Sequence, residues 1–428
     1  MTFVVPLEDG AKIHLRRHGN PEGARILLSH GNGFAIDAYF PYWQHLLANF
    51  DLLVFDFRNH GQNVPVVPPN HNYEQLTRDL ERVIQVVKIR LDERPTAGLF
   101  HSMSAPTAMK HAIEIGWRWD ALVLFDLPNV PPTDHALYPA MAAFEKRLVD
   151  WALHRRRHFV TIDELAQEYL HSRATACWVR GEHDLMARSV LRKRLDGDGY
   201  ELVCDPENEA AIYAQALTLN LWPCASEFAG PVKLIGCDPN IQNAAGTGPA
   251  NQALGFDGGY DYSFVEGIGH LLQVEKPLEC ALLTIEFLAR HGLARLGKHS
   301  AYPAEMSASL IGRLRSSAFR LSTTAASASL AGSCFSSESA RGPSSMGSED
   351  KVEQSLGRPC PMTGPSGHAN SPHPSSREGR HSTAWWSSKY PPIAFDPERT
   401  SYRCSSSGPS ELAAISPDAV HNDGQTSR

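Results

Sequence analysis

The stretch Ala97-Gly98-Leu99-Phe100-His101-Ser102-Met103-Ser104-Ala105-Pro106 decides how this chain is read. Its first half is apolar and strand-like, and residues 106–115 suit a helix. A serine on a sharp strand-to-helix turn has its hydroxyl pushed out above the sheet. The N–H of the next residue, here Met103, then stays free at the helix start to stabilise a developing oxyanion. A serine between a strand and a helix is also a common N-cap, so Ser102 needs support from elsewhere in the chain.

Two further segments supply it. Upstream, the strand-like Ile26-Leu27-Leu28-Ser29 runs into His30-Gly31-Asn32-Gly33-Phe34. Glycines there let the backbone turn sharply and leave N–H groups unpaired above the sheet, with the N–H of Asn32 as the candidate second oxyanion donor. Downstream, Phe264-Val265-Glu266-Gly267-Ile268-Gly269-His270 is followed by Leu271-Leu272-Gln273-Val274-Glu275-Lys276-Pro277. A histidine on a glycine-flexed loop after a strand can hang over the sheet edge and reach a serine hydroxyl, its tautomer set by a carboxylate.

Around these segments, short apolar runs at 25–29, 52–56, 97–101, 121–126, 232–236 and 262–266 alternate with amphipathic stretches. The pattern predicts an α/β fold, a mostly parallel central sheet with helices on both faces. Residues 79–91 carry apolar side chains at 80, 83, 84, 87 and 91, which is helical spacing. Between 129 and 225 helical patterns dominate (142–154, 162–171 and 206–219, where Pro206 and Glu207 suit a first turn), and we read an inserted helical cap. The core is then 1–128 plus 226–299, closed by a helix at 278–291. From 300 to 428 Ser, Gly and Pro crowd the sequence without apolar period, which predicts a disordered tail.

Taken together, residues 1–299 resemble an α/β-hydrolase of the Ser-His-acid type with a helical cap. The resemblance rests on His30-Gly31 after an early strand, Asp56-Phe57-Arg58-Asn59-His60-Gly61 after the next, the Ser102 turn, and Gly269-His270 before Glu275-Lys276-Pro277. It implies that the 56–61 segment shapes the site from below without taking part in the chemistry. It also implies small residues two before and two after the nucleophile. Those positions hold Phe100 and Ser104, so the turn is either widened or has the phenyl ring turned under the sheet.

The resemblance places an acid between Ser102 and His270. Asp238, in Val232-Lys233-Leu234-Ile235-Gly236-Cys237-Asp238-Pro239, is preferred. Asp126, after the 121–125 run, is the alternative, and Asp184 in the expected cap stands behind both. The implied activity is that of a serine esterase: Ser102 attacks a carbonyl carbon, His270 is the base, Asp238 orients it, and the N–H groups of Asn32 and Met103 hold the oxyanion. A serine at the turn argues against the dehalogenase and epoxide-hydrolase branches, which use a carboxylate there. Two alternatives stay open, a C–C bond hydrolase with the same triad and a catalytically idle ligand receptor or interaction module.

Composition narrows the partners. Lys and Arg number 40 against 47 Asp and Glu, a net charge of −7, which gives no basic footprint for nucleic acid. No apolar run reaches the roughly 18 residues of a membrane span and the N-terminus lacks a signal pattern, so a cytoplasmic protein is expected. The eight cysteines show no Cys-x-x-Cys pair and predict neither a disulfide frame nor a metal site. No metal or organic cofactor is expected. The expected partner is a small-molecule substrate with an apolar portion, the cap aromatics Tyr138, Phe144, Trp151, Tyr169, Trp178 and Tyr213 being candidates to line its pocket. No oligomeric state follows from the sequence.

Overall fold

The computed structural model describes residues 1–66, 70–241 and 246–294. The tail expected at 300–428 lies outside the described residues. The strands are β1 (Thr2–Pro6), β2 (Lys12–Gly19), β3 (Ala24–Leu28), β4 (Phe50–Phe55), β5 (Thr96–His101), β6 (Ala121–Phe125), β7 (His158–Phe159), β8 (Leu191–Lys193), β9 (Tyr200–Leu202), β10 (Val232–Gly236) and β11 (Asp261–Phe264). The helices are α1 (Phe40–Trp43), α2 (Tyr73–Arg90), α3 (Ser104–Glu114), α4 (Tyr138–Leu153), α5 (Ile162–His171), α6 (Glu182–Val190), α7 (Pro206–Ala216), α8 (Thr247–Asp257), α9 (Leu272–Glu275) and α10 (Pro277–Arg290).

Eight strands form one sheet in the order β1-β2-β4-β3-β5-β6-β10-β11. Pairings β1/β2 and β2/β4 are antiparallel and the others parallel. The central strands are apolar throughout because both faces are covered, and alternate residues serve opposite layers. In β6, Ala121, Val123 and Phe125 join one apolar layer with Leu283, Phe287 and Leu288 of α10. Leu122 and Leu124 join the other, with Leu76, Leu80 and Val83 of α2 and Ala108 and Met109 of α3.

The expected strands fall within two residues of those observed. The N-terminal hairpin β1/β2 was not expected from sequence. Its strands bury only alternate positions, Ile13 and Leu15 lying inward while Lys12 faces solvent, so no continuous apolar run announces them. The helix read at 79–91 begins earlier, at Tyr73, where the Asn72 side chain accepts a hydrogen bond from the Gln75 N–H at 2.8 Å.

Between β6 and β10 the chain forms α4 to α7 and, in addition, a small antiparallel sheet β7-β9-β8 separate from the main one. This insertion is therefore mixed rather than wholly helical. Helix α7 starts as its sequence suggested, with Pro206 in the first turn and the Asp205 side chain accepting from the Glu207 N–H at 2.9 Å. Helices α4 and α7 pack on each other. No helix among the described residues is long and apolar enough to cross a membrane.

Candidate active site

Ser102 follows the last residue of β5 and precedes α3. It takes a left-handed conformation (φ 50°), which L-residues adopt only when their surroundings impose it. Three contacts impose it here. The Ser102 N–H donates to the Phe125 carbonyl at 3.0 Å. The Ser104 hydroxyl accepts from the His101 N–H and donates to the His101 carbonyl, both at 2.9 Å. Gly31 closes the turn from above, since a Cβ there would lie 2.9 Å from the Ser102 Cβ.

Phe100 does not widen this turn. Its buried ring packs edge-on against Trp119 with centroids 5.5 Å apart and folds back over Gly98. A Cβ on Gly98 would meet that ring at 2.6 Å. Gly98 thus leaves the room that the Phe100 ring occupies.

His270 Nε2 lies 2.8 Å from Ser102 Oγ, and His270 Nδ1 lies 2.5 Å from Asp126 Oδ2. The preference for Asp238 is thereby corrected: the carboxylate against His270 belongs to Asp126. The reason is strand order. Pairing of His101 with Phe125 across β5 and β6 sets Ser102 and Asp126 side by side, each one residue past its strand. Asp238 lies past β10, one strand farther on, and its oxygens are committed elsewhere. Oδ1 accepts from the Asn240 N–H at 2.8 Å and Oδ2 from the Gly267 N–H at 2.8 Å, so Asp238 ties down the base of the His270 loop. Asp184, on the exposed side of α6, pairs with Arg188 instead.

Asp126 is buried, in a left-handed conformation (φ 39°), and heavily solvated by protein. Oδ1 accepts from the Cys237 N–H (2.9 Å) and Asn251 Nδ2 (3.3 Å), and Oδ2 accepts from Thr247 Oγ1 at 2.6 Å besides facing His270. Such donors stabilise a carboxylate away from water.

A second anchor was not visible in the sequence. The His101 Nε2–H donates to the His270 carbonyl at 2.9 Å, which leaves His101 Nδ1 to accept from the Tyr39 hydroxyl at 2.7 Å. The Tyr39 oxygen in turn accepts from the Gly31 N–H at 3.1 Å. This chain links the loop of Gly31 to the backbone of His270. Burial, with His270 nearby, holds the His101 imidazole well below its usual pKa, consistent with the neutral tautomer those bonds require. Glu275 fixes the loop from its other end, accepting from the Gly269 N–H at 2.9 Å, and burial raises its pKa.

The Asn32 and Met103 N–H groups find no acceptor among the described residues, and both residues line a narrow cleft with Ser102. The cleft is also lined by Tyr73, Pro128, Glu145, Ile212, Tyr213 and Ala216. Of the six cap aromatics expected to line it, only Tyr213 does. Trp151 is exposed under Arg155, Tyr169 packs on Trp178, and Tyr138 and Phe144 pack with Met141 and Ala250. Glu145 was also missed. It interrupts the buried face of α4 made by Met141, Ala142 and Ala152, and a charge within an apolar stripe was the signal available.

The 56–61 segment supports the Asn32 loop from beneath. Asp56 accepts from the Ile36 N–H at 2.7 Å, Arg58 is forked onto Asp79, and His60 Nε2 accepts from the Gly33 N–H at 3.1 Å. His30 Nε2 accepts from the Phe57 N–H at 3.1 Å, and burial lowers its pKa to about 4. His60, His71 and Cys204 bring ligand-type atoms within 4.8 Å of one another. Both nitrogens of His60 are engaged, Nδ1–H to the Arg58 carbonyl at 2.9 Å and Nε2 to Gly33, so a cation there would have to displace the Gly33 N–H.

The fold and this geometry define an α/β-hydrolase class of protein. The chain belongs to the alpha/beta hydrolase family, whose model matches residues 26–281. As a member of that family it is an enzyme of the hydrolase class. Similar solved structures include E-2-(acetamidomethylene)succinate hydrolase, at 17% identity and a TM-score of 0.55, over 68% of this chain and 99% of that one. A thioesterase domain from the curacin biosynthetic pathway is 18% identical, TM-score 0.50, over 66% and 98%. A hypothetical protein from Pseudomonas aeruginosa is 18% identical, TM-score 0.50, over 68% and 99%. At these identities the likeness is one of fold. A comparison with curated proteins found no match.

Proposed function

We propose that this hydrolase is a serine esterase acting through an acyl-enzyme on a carboxylic ester or related carbonyl substrate. The observation that carries the reading is the continuous line Ser102 Oγ–His270 Nε2, His270 Nδ1–Asp126 Oδ2. Ser102 Oγ attacks the carbonyl carbon while His270 Nε2 takes its proton. The Met103 and Asn32 N–H groups receive the developing oxyanion, and His270 returns the proton to the departing alcohol. Water, deprotonated by the same histidine, then releases the acid and restores Ser102. Asp126 keeps Nδ1 protonated and stabilises the imidazolium without itself taking the proton.

Residues 129–225 act as the cap in this reading, supported by the contribution of Glu145, Ile212, Tyr213 and Ala216 to the cleft. The apolar lining by Ile212, Ala216 and Pro128 favours a small-molecule substrate with a short apolar portion. The test is labelling by a fluorophosphonate probe with mass-spectrometric mapping. Modification of Ser102 together with turnover of short-chain aryl esters is expected; an unlabelled Ser102 in folded protein would overturn the reading.

A further inference from the structure

Glu145 lines the cleft together with Ser102, is fully buried, and neither of its carboxyl oxygens has a hydrogen-bond partner among the described residues. The Tyr73 hydroxyl and the Asn32 side-chain oxygen, in the same cleft, are equally unpartnered. A carboxyl group buried without partners is costly, and the chain does pair its other carboxylate nearby: Glu209 receives Arg155 and the Tyr213 hydroxyl. One carboxyl and two further oxygens, all buried and without partners, thus belong to residues that line the cleft with the candidate nucleophile, and Tyr213 lines it as well.

We propose that Glu145, with Tyr73 and Asn32, forms a subsite for a primary ammonium group carried by a compact ester substrate. An ammonium offers three donors and no acceptor, which matches a set of oxygens, and tyrosine faces favour a cation. Burial holds the Glu145 carboxyl up to about 8, so the empty cleft carries it largely protonated and an arriving cation draws out its ionised form. The inference deepens the serine-esterase reading and rests on it.

The experiment compares isosteric pairs, methyl 3-aminopropanoate against methyl butanoate and 3-aminopropyl acetate against butyl acetate, in the wild-type chain and Glu145→Gln. In at least one pair the ammonium ester should be favoured about tenfold or more in kcat/KM, as expected for hydrogen bonds to a charged group. In Glu145→Gln that ratio should fall toward one. A wild-type ratio near one in both pairs, or a ratio unchanged in the variant, overturns the subsite. As a measurement that needs no variant, n-butylammonium should protect Ser102 of the wild-type chain from a fluorophosphonate at about tenfold lower concentration than 1-butanol; equal protection overturns the subsite. Labelling separates the two levels of inference. Ser102 labelled without ammonium preference removes the subsite and leaves the esterase, whereas Ser102 unlabelled removes both.

Discussion

His101, the residue before the candidate nucleophile, donates its Nε2–H to the main-chain carbonyl of His270 at 2.9 Å. The candidate base and candidate nucleophile are thus tied together twice, once through the Ser102 hydroxyl and once through this neighbour, so the His270 backbone cannot shift without loosening the turn that carries Ser102. Replacing His101 by Phe should cut kcat about 10- to 100-fold, in line with a displacement of the base of order 1 Å. KM should change little. The check is steady-state kinetics on a short aryl ester, and a kcat within twofold of wild type would show that the tie does not position the base.

Asp126→Asn should lower kcat by about 10⁴-fold, because an amide facing Nδ1 favours the wrong imidazole tautomer. Asp238→Asn removes only a loop anchor that accepts from Gly267, and its loss should be about tenfold or less. The reverse ranking in the same assay would return Asp238 to the role the sequence suggested.

Ser102→Ala and His270→Ala should each abolish most turnover, and the double variant should be little worse than either, since residues acting as one unit are not additive. Multiplying losses would mean that the two do not work on the same proton.

Glu145 also has a stability consequence. Its folded pKa of about 8 lies above the ordinary carboxylate value of 4.5 because of burial. The folded state therefore holds its proton where the unfolded chain has released it, and stability falls as pH rises from about 4.5 to about 8. Glu145→Gln mimics the protonated form. Its Tm should match wild type near pH 4 and exceed it increasingly toward pH 8, by calorimetry. Across that window the wild-type chain loses at most about 1.4 kcal/mol for each pH unit relative to the variant. A Tm difference independent of pH would mean that Glu145 ionises in the folded state as readily as in the unfolded one.

Much of the frame was legible in the sequence because it is local. The apolar runs that became β3 to β6 and β10 are continuous, since strands covered on both faces need no polar alternation. The turns at His30–Gly33, at Ser102 and before His270 are marked by residues that local backbone geometry demands. So the order of the chemistry-bearing residues could be read along the chain, and the hairpin β1/β2, with one alternating face, could not.

What the chain alone determined was therefore the fold class and the Ser102–His270 pair, each tied to a strand end. What only the tertiary structure decided was which acid completes the line, and which polar groups are left open in the cleft. Asp126 and Asp238 both follow strands and look alike in sequence. Strand order separates them: β6 lies directly beside β5, and three donors besides His270 converge on Asp126 from Cys237, Thr247 and Asn251, more than 100 residues away along the chain. The same holds for Glu145: the apolar stripe of α4 marks its charge as out of place, but that it stays without a partner while Arg155 pairs with Glu209 is seen only in the packed chain. Hydrogen bonding and burial between distant segments are properties of the packed chain, and no local spacing encodes them.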